Sequence, residues 1–134
     1  MVILLDYKYV RAMFLIYDTE TTGLPKNWNA PLTDSENWPR IVQLAWQLHD
    51  ENGKLLSRGN RIVKPDGFTI PFQSMKVHGI TTEIAQAEGM PLAEVIEEFN
   101  KDLVRATYVM GHNIEFDVSV LGAELHRLGQ EFSH

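Results

Sequence analysis

At 134 residues, with 44% hydrophobic and 22% charged side chains, the chain has the size and composition of one globular domain. It contains no cysteine, which excludes disulfides and thiolate metal sites and fits a cytoplasmic protein. A net charge of −6 without any Lys/Arg-rich run argues against bulk electrostatic attachment to nucleic acid, and the apolar Met1–Leu5 is too short for a signal peptide or a membrane span.

In chain order, residues 1–12 read as an extra strand or a leader, and the strong pattern starts at Met13. The apolar run from Met13 predicts a first strand over 13–19. Residues 23–39 hold Pro25, Asn27, Asn29, Pro31, Asp34, Asn37 and Pro39, which is turn chemistry and predicts a long loop. Its two tryptophans, Trp28 and Trp38, pack on the domain or face a partner, and packing is the expectation because single aromatics in loops mostly anchor them. Arg40–His49 and Lys54–Val63 carry the strand signal, joined by the hairpin sequence Asp50-Glu51-Asn52-Gly53. Lys64–Pro71 reads as loop and Thr81–Ala87 as a short helix. Pro91 opens a clearer helix, with Leu92, Val95, Ile96, Phe99 and Leu103 on one face. Tyr108–Met110 is a short strand, and Asp117–Leu128 a second helix stopped by Gly129. The order β-β-β-α-β-α predicts an α/β fold: an antiparallel three-stranded meander, then a crossover that should be right-handed.

The chemistry concentrates in the acids of this frame. Side chains two apart on a strand share a face, so Asp18 and Glu20 stand side by side at the end of an apolar run. Two such charges need a cationic partner, and hard divalent ions prefer carboxylate oxygens. A third acid, Asp117, follows Tyr108–Met110 and opens a helix, where its charge suits the helix dipole. A strand end and a neighbouring helix N-terminus can bring the three together as the skeleton of a two-metal phosphoryl-transfer site, its ions about 4 Å apart.

These motifs resemble those of the DEDD superfamily of 3′–5′ exonucleases, especially proofreading exonucleases like the epsilon subunit of bacterial DNA polymerase III. Asp18-Thr19-Glu20-Thr21-Thr22-Gly23-Leu24 is similar to the first motif of that family, and Gly111-His112-Asn113 through Phe116-Asp117 to the second. Val77-His78-Gly79-Ile80-Thr81 resembles a stretch between them that borders the substrate. The similarity runs from about residue 13 to 129. It implies a ribonuclease H-like fold with two Mg²⁺ or Mn²⁺ ions, acting on the 3′ end of single-stranded DNA beside a replicative polymerase subunit. An RNA-directed exoribonuclease remains an alternative, since the motifs do not read the 2′-hydroxyl. By the resemblance, Asp18 would bridge both ions, with Glu20 and Asp117 each helping to hold one. The backbone at Thr19 and Thr21 would meet the terminal 3′-OH. Leu24 and Phe116 would pack on the terminal bases, His78 would line the nucleotide pocket, and Asn113 would fix the loop beside Asp117. Where epsilon-like chains can carry an acid five residues before His78, this chain has Gln73.

The third motif of the family, His-x-x-x-x-Asp, supplies a general base and a fourth carboxylate. It does not occur here after Asp117. His126 and His134 have no Asp five positions on; His126 reads as a surface or packing residue, His49 as a strand-end residue and His112 as a loop residue. The expectation is therefore a single incomplete domain over 1–134, without the last strand and helix of the fold and nearly inactive, beside an active parent. The other reading for such a chain is a non-catalytic module that binds strand ends or a polymerase, and its open sheet edge invites dimerisation.

Overall fold

The computed structural model describes residues 11–130. The leader expected at 1–12 lies almost wholly outside these residues, as does His134. Three antiparallel strands come first: β1 (Met13–Thr21), β2 (Ile41–Asp50) and β3 (Leu55–Ile62). Four helices follow: α1 (Phe72–His78), α2 (Thr82–Glu88), α3 (Leu92–Leu103) and, after the short strand β4 (Tyr108–Met110), α4 (Ile114–Arg127). The sheet order is β3-β2-β1-β4, with β4 parallel to β1. The meander and the α/β class are as the sequence pattern predicts.

The strands form because each alternates. On β1, Leu15, Tyr17 and Thr19 are buried, and Ile16 and Asp18 are exposed. The register sets Leu15 opposite Leu48, Tyr17 opposite Trp46 and Thr19 opposite Leu44, so one face of the sheet is continuous core. Val95, Ile96, Phe99 and Leu103 of α3 and Phe116, Val120, Leu121 and Leu125 of α4 cover that face. Phe99 meets both Tyr17 and Trp46 edge-on, with centroids 5.1 and 5.3 Å away. The indole N–H of Trp46 donates to Asp102 on α3 at 2.8 Å, which keeps the ring flat across β3.

That flat ring explains Gly59. A Cβ at this position would run into the six-membered ring of Trp46. Gly59→Val is therefore expected to cost about 1–3 kcal/mol through displaced aromatic packing. A urea midpoint unchanged from the parent chain would show that Trp46 moves aside freely.

The helices depart from expectation in two places. Helix α1 was not anticipated, because its seven residues leave Phe72 and Val77 exposed and give no apolar stripe. Its limits were nevertheless written in Pro71 before it and Gly79 after it, the latter at φ 76°. Helix α4 starts at Ile114, three residues before the expected Asp117, which places that acid inside the first turn. It ends as foreseen: Gly129 adopts φ 73°, its N–H reaches the His126 carbonyl at 2.9 Å, and the Gln130 N–H reaches Leu125 at 2.8 Å.

Candidate active site

The strand alternation sorts the first motif onto two faces. Asp18 and Glu20 project from the outer, uncovered side of β1, and Asp18 is exposed rather than set in apolar surroundings. It lies level with Ala45 and Asn60, in an open groove of about 660 Å³ that is also lined by Ile16, Gln47 and Arg58. Thr19 points the other way, into the core. Its hydroxyl donates to Asp117 Oδ1 at 2.7 Å, and this one bond pins the first turn of α4 to the centre of β1. A β-bulge between Glu20 and Thr21 then re-aims the end of the strand.

Asp117 is only 1% exposed, and its second oxygen, Oδ2, finds no hydrogen-bond partner among the described residues. Gly111 lets the end of β4 come this close: a Cβ there would lie 2.9 Å from the Tyr17 carbonyl oxygen and 3.4 Å from Asp117 Oδ2. Burial pushes the Asp117 carboxyl above the usual carboxylate range. The Thr19 hydrogen bond opposes that shift, and the charges of Asp18 and Glu20 add to it. The buried Asp117 thus feels the charge of both outward-facing acids across the strand. The neighbouring Tyr17 phenol, buried and also without a partner, is raised by burial and by Asp117.

Among the described residues, no three His, Cys, Asp or Glu side chains are gathered tightly enough to hold an ion as they stand. The donor set nevertheless fits a hard divalent cation. It offers carboxylate oxygens only, one of them buried and unsatisfied, under mutual repulsion that a cation relieves. No hydrogen bond or ion pair to a described residue ties down Asp18 or Glu20. Both are free to turn toward a shared ion.

The remaining candidates surround this point. Thr21 closes its own turn, its hydroxyl donating to the Gly23 carbonyl at 2.7 Å. Leu24, the next apolar residue, is 71% exposed. The Ser74 hydroxyl donates to the Thr22 carbonyl at 2.6 Å and ties α1 to the first motif. His78, the last residue of α1, accepts the Ile80 N–H on Nδ1 at 3.1 Å. Its Nε2 therefore carries the proton of the neutral ring, and that atom is buried without a partner. Gln73 is exposed. Asn113 caps α4 by position only: its carbonyl accepts the Asp117 N–H at 3.2 Å, and its side chain makes no capping bond. Phe116 is buried, and Trp28 leans on it with ring centroids 5.6 Å apart. His112 and His126 are exposed, and His49 bonds Gln47 and the Gly53 carbonyl in the hairpin.

Three participants were not read as such from the sequence. The Thr19 side chain fixes Asp117, a role hidden because only its backbone was considered. Trp28 lies half-exposed beside the site instead of packing inside. Glu124 is wholly buried on α4 and binds Arg40 at 2.8 Å, Arg127 at 2.6 Å and the Ile41 N–H at 3.1 Å. Arg127 goes on to the carbonyls of Ser35 and Trp38, both at 2.7 Å. Leu32 lies over Gly122, where a Cβ would stand 2.6 Å from Leu32 Cδ1. The loop after the first motif is thus laid along α4 from Phe116 to Arg127.

The site is thus a meander with one parallel strand added, an acid pair on one of its two inner strands and a helix-borne acid behind it. The chain belongs to the exonuclease family, whose model matches residues 15–133. It is 31% identical over 116 residues to the 3′-5′ exonuclease DinG of Bacillus subtilis, covering 87% of this chain and 11% of that protein. It is 29% identical over 112 residues to the DNA polymerase III subunit epsilon of Treponema pallidum, covering 84% of this chain and 46% of the subunit. Among solved structures, E. coli exonuclease I in complex with a dT13 oligonucleotide superposes with a TM-score of 0.72 at 22% identity, over 90% of this chain and 25% of that one. The chain spans less than half the length of each of these relatives. No described helix is long and apolar enough to cross a membrane.

Proposed function

We propose that this domain removes nucleotides from the 3′ ends of DNA by metal-dependent phosphodiester hydrolysis, in the manner of the epsilon-like proofreading exonucleases. The observation that carries the reading is the buried Asp117 carboxylate, held by Thr19 with one oxygen unpartnered, behind a strand that presents Asp18 and Glu20. Asp18, Glu20 and Asp117 would hold two Mg²⁺ or Mn²⁺ ions, which would supply activation of a water and stabilisation of the leaving oxygen. The backbone at Thr19 and Thr21 receives the terminal 3′-OH, Leu24 packs on the last bases, and Phe116, buried against Trp28, backs that surface. His78, whose Nε2 is buried without a partner among the described residues, lines the nucleotide pocket. A DNA polymerase III subunit epsilon and an exonuclease I in complex with a dT13 oligonucleotide among the relatives support a DNA strand as substrate and a replicative polymerase as partner.

The test is a 5′-labelled single-stranded oligonucleotide incubated with the chain and Mn²⁺, beside an Asp18→Ala variant. The expected result is Mn²⁺-dependent binding and trimming from the 3′ end, both lost in the variant. Trimming or binding indifferent to Asp18→Ala would overturn the assignment. Equal binding and faster cleavage of an RNA oligonucleotide would move it to an exoribonuclease.

A further inference from the structure

The geometry points to Trp28 as a base-stacking residue of the strand-binding surface, a role that rests on the strand-end reading above. The chain has three tryptophans. Trp38 and Trp46 are 5% and 4% exposed, and each spends its indole N–H inside the protein, on the Pro31 carbonyl and on Asp102. Trp28 is 52% exposed. A tryptophan that only anchored its loop would bury its ring, as Trp38 does near the end of the same loop.

The ring is open to solvent, yet it is firmly held. One side leans on Phe116, the residue immediately before Asp117. The backbone before it is clamped by Asn37, which is itself buried. Asn37 Oδ1 accepts the Asn27 N–H at 2.7 Å, and its amide donates to the Asn27 carbonyl at 2.9 Å. Asn27 Oδ1 in turn accepts the Asn29 N–H at 2.9 Å, so both neighbours of Trp28 are fixed. An aromatic face held in water by its own framework loses little freedom when a flat ligand lands on it.

Its position decides the ligand. Phe116 is 8% exposed and lies beneath Trp28, so the aromatic surface that this helix end offers to a base is the indole above it. Leu24, 71% exposed, precedes Trp28 by four positions in the chain, and the exposed Lys26 between them can meet a backbone phosphate. An apolar side chain, a cation and a rigid aromatic in succession beside an acid site match the sequence-tolerant recognition of single strands by stacking.

The chain's own fluorescence tests this. Oligothymidylate is titrated into the protein with Mg²⁺, and binding is followed both by anisotropy of a 5′ label on the oligonucleotide and by tryptophan emission. With Trp38 and Trp46 buried, a change in emission reports Trp28. The expected result is quenching that tracks the anisotropy curve, affinity about 5–150-fold weaker in Trp28→Ala, and affinity near the parent value but no emission change in Trp28→Phe. An equal melting temperature for Trp28→Ala shows that the loss is not one of folding. Binding by anisotropy with unchanged emission, and with Trp28→Ala binding as tightly as the parent, overturns the stacking role and leaves the strand-end reading in place. No binding by anisotropy in the parent chain overturns both.

Discussion

Glu124→Ala is expected to be the most destabilising single substitution on α4, costing about 3–5 kcal/mol and lowering the melting temperature by roughly 10–20 °C. The carboxylate is wholly buried and answers two guanidinium groups and one backbone N–H. Both arginines are themselves mostly covered, at 24% and 13% side-chain exposure, so solvent cannot take over the role of the missing anion. Removing one member of a buried charge cluster leaves the others uncompensated, which is why the loss exceeds that of a surface pair. The damage has a direction. Arg127 also holds the carbonyls of Ser35 and Trp38, so the loop after the first motif detaches from α4 first. Thermal unfolding followed by circular dichroism measures the cost, and limited proteolysis locates it, with new cleavage expected between residues 24 and 39. A loss below about 1 kcal/mol with the loop still protected would show that Leu32 on Gly122 and Trp28 on Phe116 suffice to hold it.

The same loop marks where the sequence stopped being legible. Strands and the helix α3 were readable because each carries its own period: Leu15, Tyr17 and Thr19 alternate with Ile16 and Asp18, and Val95, Ile96 and Phe99 recur at helical spacing. The acids Asp18, Glu20 and Asp117 were readable because their residue types at that spacing are hard to explain otherwise. Glu124 was not. It is a polar residue in an otherwise buried helix stretch, and its partners Arg40 and Arg127 lie 84 positions before and three after it. Only the folded chain brings Arg40 there. Trp28 takes the less common of its two courses: an aromatic in a turn-rich loop usually packs inward, and nothing local in the sequence shows that Asn37 fixes the Asn27 backbone beside it. Thr19 hid in plain sight between two acids. Its alternation already aimed it at the opposite face, where the one nearby acid on a helix needed a donor.

The second large effect follows from that donor and the acid it serves. Asp117→Asn is expected to raise the melting temperature of the metal-free protein at neutral pH and to abolish its response to Mn²⁺. Burial, reinforced by Asp18 and Glu20, holds the Asp117 carboxyl above the ordinary carboxylate value, so the folded chain binds this proton more tightly than the unfolded chain does. The associated stability is fully present below the unfolded pKa of about 3.9 and is lost as pH rises through the folded value. Asparagine mimics the protonated form and keeps an oxygen for the Thr19 hydroxyl. The advantage of the variant should therefore be small near pH 3.5 and grow as pH climbs past the ordinary carboxylate range. Adding Mn²⁺ reverses the order. A divalent ion at one hundred times its dissociation constant stabilises the parent chain by about 2.7 kcal/mol and has far less to hold in the variant. Melting curves across pH, with and without Mn²⁺, read both halves. A variant less stable than the parent at every pH would mean that the unpartnered oxygen of Asp117 is satisfied in solution, and the case for a cation at this point would fall with it.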